Sequence, residues 1–205
     1  MDYTKLATKE TVLKVIENLK GRNVEAVSVE TKSEALDKIK ELIPAGVSVM
    51  NGASVTLEQI GFVDYLKDGA HPWNNLHKAI VEEKDGAKQA QLRKEALSSD
   101  YYLGSVHALA ETGEFIVASN TGSQLPHIVF SSPNLIFVVS TKKIVPTLTD
   151  AKDRLMKHVV PLEDVHMQEK YGFSTAVNKI VTFQNENPMM GRKVRMILVN
   201  EDLGF

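Results

Sequence analysis

The sequence predicts an α/β fold with a mainly parallel sheet flanked by helices, and three observations lead there. The opening stretch alternates short β-branched segments with segments whose apolar residues recur at helical spacing, which is the signature of parallel strands joined by right-handed crossovers. Two near-continuous apolar runs, Phe115-Ile116-Val117-Ala118 and Leu135-Ile136-Phe137-Val138-Val139, have no polar side to offer solvent and read as strands buried on both faces, the expected sheet centre. The chain has 205 residues, 43% hydrophobic and 24% charged, enough to bury a sizeable core and too apolar to stay disordered.

The elements follow in order. Val12, Val15, Ile16 and Leu19 mark a first helix, with Gly21 as its stop, and Val24-Glu25-Ala26-Val27-Ser28-Val29 a first strand. Thr31 and Glu34 have the spacing of a capping box for a second helix, whose apolar face is Leu36, Ile39, Leu42 and Ile43 and which Pro44 ends. A second strand, Val47-Ser48-Val49-Met50, runs straight into Asn51-Gly52-Ala53-Ser54 and a helical pattern near Val55. Residues 73–98 read as mostly helical, with a break at Gly86 and a mixed-sign charged face. After Pro146, Thr147 or Thr149 caps a helix carrying Leu155, Met156 and Val159, and Pro161 marks its end or the start of another. Lys179-Ile180-Val181-Thr182-Phe183 and Val194-Arg195-Met196-Ile197-Leu198-Val199 are expected to pair as two late strands. Nothing resembling a linker or repeat divides the chain, so residues 1–205 are expected to form one domain.

Composition narrows the function classes. With 24 basic and 26 acidic residues the net charge is -2, which gives no field for recruiting nucleic acid. There is no cysteine, so disulfides, thiolate nucleophiles and cysteine-held iron–sulfur clusters are excluded, and any redox centre belongs to a partner. The first residues lack a signal-peptide pattern and no apolar run approaches membrane-spanning length, which makes the cytoplasm the expected location and a membrane role unexpected.

Three segments are candidates for binding or chemistry. Asn51, Gly52, Ala53, Ser54 and Thr56 stand where a strand hands over to a helix, and backbone N–H groups with hydroxyls there suit a phosphate or carboxylate. The plainer alternative is a βα turn with Ser54 as its N-cap. His107, Glu111, Thr112 and Gly113 precede the apolar strand at Phe115; a partly desolvated Glu111 would suit proton transfer or a covalent acyl intermediate, or else merely cap backbone. Thr121, Gly122, Ser123 and Gln124 form a polar loop suited to hydrogen bonding a ligand. The six histidines show no zinc-ligand spacing, and His158 and His166, flanking Glu163-Asp164, read as a solvated helix surface; no metal site is expected. There is no Gly-x-Ser-x-Gly elbow for a hydrolase triad, and no cofactor is specified.

Several stretches together resemble one family. Gly52-Ala53-Ser54 with Thr56-Leu57 and Gly61, Asp100-Tyr101-Tyr102-Leu103-Gly104-Ser105-Val106-His107-Ala108-Leu109, Glu111-Thr112-Gly113, Thr121-Gly122-Ser123-Gln124-Leu125-Pro126, Lys143-Ile144-Val145-Pro146-Thr147 and Ile197-Leu198-Val199-Asn200-Glu201 resemble the LUD (lactate-utilisation, LutC/YkgG-like) family, in order over most of the chain. The resemblance implies a NagB/RpiA/CoA-transferase-like fold and a place in bacterial lactate (2-hydroxy acid) utilisation, as a cluster-free companion of iron–sulfur subunits. Three functions stay open at this point: an accessory protein that binds a small anionic ligand, carboxylate or phosphate; a stand-alone acyl-transferase or sugar-phosphate-isomerase-like enzyme using Glu111 as nucleophile or acid/base; and a scaffold docking a partner through residues 82–95. Homo-oligomerisation is left open as well.

Overall fold

Six parallel strands form the backbone of the molecule in a computed structural model that describes residues 1–205. In chain order the elements are α1 (Lys9–Lys20), β1 (Val24–Val29), α2 (Lys32–Leu42), β2 (Ser48–Asn51), α3 (Val55–Gln59), α4 (Phe62–Asp68), β3 (Asn74–Asn75), α5 (Leu76–Glu82) and α6 (Gly86–Glu95). They continue with β4 (Tyr101–Gly104), β5 (Ala108–Ala110), β6 (Phe115–Ser119), β7 (Asn134–Ser140), β8 (Ile144–Val145), α7 (Leu148–Arg154), α8 (Val160–Tyr171), β9 (Lys179–Phe183) and β10 (Lys193–Val199). The large sheet has the order β1-β10-β7-β4-β2-β3, and a second sheet has the order β8-β5-β6-β9.

Helix starts follow the side chains present. Thr8 accepts the Thr11 N–H at 3.2 Å, and α1 then buries Val12, Val15 and Leu19 along one stripe. Thr31 accepts the Glu34 N–H, while the Glu34 carboxylate takes the N–H of Glu30 rather than that of Thr31, so only half of the expected box forms. Thr147 and Asp150 form the full reciprocal box. α7 and α8 are continuous through a π-helical turn at Leu155–Val159. That turn ends two residues before Pro161, whose ring and missing N–H an undisturbed α-helix could not absorb without a kink. No helix is long and apolar enough to cross a membrane.

The core is layered. On one face of the large sheet, Ala35 and Ile39 of α2 with Leu57, Phe62 and Leu66 pack against Val49, Leu103, Ile136, Val138 and Ile197. On the other face, Val12, Val15 and Leu19 of α1 share a cluster with Leu109, Phe115 and Val117 of the small sheet, over Leu135, Phe137, Val139 and Met196. The small sheet's outer face, Ala108, Ile116 and Ala118, is covered by Ala151, Leu155 and Val159 of the long helix. Strand β6 is therefore buried on both sides by alternate residues, as its continuous apolar run requires.

Two expectations change here. The Phe115 run is not part of the main sheet but the middle of the small one, because a strand sandwiched between a sheet and a helix reads the same as one between two helix layers. The late strands do not pair: β10 lies between β1 and β7, while β9 joins β6 antiparallel at the edge of the small sheet. The apolar Val194–Val199 stretch suits a central strand, and the half-exposed β9 suits an edge.

Candidate functional site

Neighbouring strands β2 and β4 send the chain to opposite faces of the large sheet. After β2 it goes to the face covered by Leu57 and Phe62, and after β4 to the face covered by Val106 and Leu109. Chains diverging in this way leave a crevice beyond the carboxyl ends of the strands, where open α/β sheets bind ligands. A cleft of about 570 Å³ occupies that position.

Its first wall is the segment after β2. Asn51 is 4% exposed; its Nδ2 donates to the Gly52 carbonyl, and its Oδ1 is a buried acceptor with no protein partner. Gly52 lies against the Tyr102 hydroxyl, which a Cβ would overlap, and within reach of Gln124. Ser54 is the N-cap of α3, accepting the Leu57 N–H at 3.3 Å, so the plain turn reading holds for that hydroxyl. With only five residues, α3 supplies little dipole.

The second and third walls are residues 104–107 and 118–124. Nδ1 of His107 accepts the Ala118 N–H at 3.1 Å, which puts the ring proton on Nε2. Burial, with the charges of Lys143 and Arg154 nearby, pushes His107 down to about 3, so the ring is neutral at physiological pH. The 121–124 loop is held by its own polar groups: Ser119 accepts the Gly122 N–H, Thr121 the Ser123 N–H, and Gln124 donates to the Ala118 carbonyl. Gly122 adopts φ 86° and packs against Lys179, outside the cleft lining, while Thr121, Ser123 and Gln124 face into it. The polar segments around 52 and 122 thus share one cleft, although the second follows a strand of the small sheet rather than a neighbour of β2.

The floor holds Lys143, just before β8 and 4% exposed. Its Nζ donates to Thr56 Oγ1 at 3.0 Å, Ser105 Oγ at 3.1 Å and the Val106 carbonyl at 3.3 Å, all neutral acceptors. Its neighbour Lys142 instead pairs with Asp202 and donates to the Gly204 carbonyl. Burial, then Arg154 and Lys142, holds the Lys143 ammonium well below the ordinary lysine range. Beside the floor, Tyr102 stacks on His127 with ring centroids 4.7 Å apart, and burial pushes His127 down to about 4.

The last wall is the far end of α8 and the segment after it, with Glu163, His166, Lys170, Tyr171 and Phe173. Burial raises Glu163 above the usual carboxylate range against the pull of His166 and Lys170. Glu58 lines the cleft too but is engaged by Lys170 at 3.3 Å. Phe205 closes this side, its ring edge-on to His166 at 5.8 Å.

Residues 12–179 match the sequence pattern of the LUD domain family. This chain belongs to that family. A solved structure of a DUF162 family protein from Deinococcus radiodurans is similar in fold, with a TM-score of 0.59 and 12% sequence identity, covering 96% of this LUD domain chain and 100% of the other. No curated protein matches the sequence.

Apart from Gly122, which packs against Lys179 outside the lining, the LUD domain's candidate residues divide in two. Asn51, Gly52, Ala53, Ser54, Thr56, His107, Thr121, Ser123 and Gln124 line the cleft. Glu111, Thr112 and Gly113 do not, which corrects the expectation that they stand with those loops. They form the turn of the β5–β6 hairpin, and because these strands are antiparallel that turn lies at the opposite end from His107 and Ser119. Glu111 is ion-paired with Lys14 at 2.9 Å, its carbonyl accepts from Asn18, and Arg22 donates to the Thr112 carbonyl, so the turn is docked on α1. Glu111→Gln should therefore leave ligand affinity at the cleft unchanged and shift stability by no more than about 1 kcal/mol, as measured by calorimetry and urea melts.

Lys143, Tyr102, His127, Glu163 and His166 were not singled out from sequence as site residues. For Lys143 a signal existed. A Lys-Lys pair set between the Leu135–Val139 run and Ile144-Val145 leaves little room for both ammonium groups to reach water. The spacing of Glu163 and His166 does not distinguish a cleft wall from a wet helix face.

Proposed function

We propose that this LUD domain binds a small anionic ligand, a carboxylate or phosphate, in the cleft at the carboxyl ends of β2 and β4. The observation that carries the reading is Lys143, a buried lysine whose Nζ has three neutral acceptors and no carboxylate within hydrogen-bond reach, so that its ammonium form lacks a counter-charge. A buried charge without a counter-charge is costly, and an anion arriving in the cleft offsets that cost while the surrounding hydroxyls supply further donors. The family is associated with lactate utilisation, and the absence of cysteine supports the role of a cluster-free component beside iron–sulfur subunits in bacterial 2-hydroxy acid oxidation. An acyl-transfer or isomerase activity in this cleft would draw its carboxylate from Glu163, which lines it, rather than from Glu111.

Titration calorimetry against lactate, pyruvate, inorganic phosphate, nucleotides and acyl-CoA tests this. Saturable heat with at least one of them is expected, and Lys143→Gln should weaken it about tenfold to a hundredfold, the worth of a charge-assisted hydrogen bond. Absence of binding by every compound would remove the reading.

A further inference from the structure

We propose that Lys143 is not only an anion-pairing group but an amine nucleophile, which condenses with the carbonyl carbon of a small 2-oxo acid held in the cleft to form an imine. This rests on the anion-binding reading above and adds the chemical class of the ligand.

Three features of the geometry favour it. Nζ of Lys143 stands among neutral oxygens while the adjacent Lys142 takes the acidic partner, Asp202. The two lysines, one residue apart, are thereby split into a paired structural cation and one with no charge partner. A lysine kept in that state is the kind that reacts as an amine, because burial disfavours its ammonium form.

The second feature is what surrounds it. Thr56 and Ser105 each present a hydroxyl that accepts from Lys143 Nζ and can donate to an oxygen developing negative charge, and neither touches a carboxylate. His107 adds a neutral imidazole whose Nδ1 is engaged by Ala118, leaving Nε2–H as its free donor.

The third is the separation of tasks along the cleft. The hydroxyls and amide of Thr121, Ser123 and Gln124 line the same cleft from a segment distinct from the one that carries Lys143. Hydroxyl and amide donors on that loop suit the carboxylate end of a ligand, and the Lys143 amine its carbonyl end.

The step balances without a further reactant. The neutral amine adds to the carbonyl carbon, forming the C–N bond as the C=O π pair moves onto oxygen. That carbinolamine oxygen collects both protons originally on Nζ and leaves as water, and the C=N bond remains. No oxidant or reductant is consumed.

The test uses the full chain with pyruvate or glyoxylate in the presence of sodium borohydride, followed by intact mass measurement and peptide mapping. One reduced adduct per chain, on the peptide carrying Lys143, is expected, with labelling suppressed by excess lactate, which has no carbonyl to condense. Lys143→Arg should lose that adduct while melting cooperatively. Should the variant fail to fold, the pH profile of labelling in the wild-type protein decides instead: a midpoint below that of the exposed lysines, mapped in the same digest, supports the proposal, and a shared midpoint overturns it. Labelling spread evenly over surface lysines overturns it too. Saturable pyruvate binding with no trapped adduct at Lys143 ends the imine and leaves the anion site standing, whereas neither binding nor adduct ends both.

Discussion

Lowering the pH from about 6.5 to about 5 should destabilise the fold by roughly 2 kcal/mol for each of His107 and His127. Burial holds the folded rings down to about 3 and about 4, against 6.5 for an unhindered histidine. The sign follows from proton counting. In that window the unfolded chain binds a proton on each ring and the folded chain does not, so stability rises with pH and falls with acid. The loss begins near the ordinary histidine value and is complete once the pH is below the folded values. Glu163, whose raised carboxyl binds its proton earlier in the folded state, opposes part of this at the acidic end. Urea melts at a series of pH values should show the midpoint falling with a constant slope, and His107→Gln or His127→Gln should each remove roughly half of the dependence. A flat profile between about pH 6.5 and 5 would mean that both rings reach water more easily than their packing implies.

Gly52→Ala should cost about 1–3 kcal/mol and abolish binding in the cleft, the range expected when a methyl group is forced into filled space. The added Cβ meets the Tyr102 hydroxyl, and Tyr102 has nowhere to go: it is 2% exposed and stacked on His127, itself pinned near Ser99 and Ser132. The variant must therefore push the 52 loop into the cleft or unstack the two rings. A second substitution, Tyr102→Phe, removes the colliding oxygen, and the double variant should recover most of the lost stability, a coupling that denaturant melts on the four proteins of the cycle would measure. Wild-type stability in Gly52→Ala alone would show that the loop yields freely.

Local rules made much of the fold legible. Thr31 and Thr147 cap the helices that follow them, and the Val24–Val29 and Leu135–Val139 stretches are strands. What misled was long-range. An apolar run such as Phe115-Ile116-Val117-Ala118 records that both faces are covered but not by what, so a second sheet was invisible. The short strands Tyr101–Gly104 and Ala108–Ala110 carry too few residues for periodicity to register. The same division holds for the site. The 51–56 and 121–124 loops announce themselves through turn-forming polar residues, whereas Tyr102 and His127 acquire their environment only from packing between segments distant in the chain. Glu111 shows the converse: a carboxylate beside Thr-Gly at a strand end looks functional until the hairpin's direction is known.

The cleft's walls come from residues near 52, 105, 121, 143, 165 and 205, so almost the whole chain must be in place before any of them can act on a guest molecule. No excised fragment should retain the site, and occupancy should be felt everywhere: a compound present at a hundred times its dissociation constant would raise the unfolding free energy by about 2.7 kcal/mol. Thermal shift with unlabelled protein is accordingly a sufficient screen for the natural occupant, because the entire domain serves as the reporter.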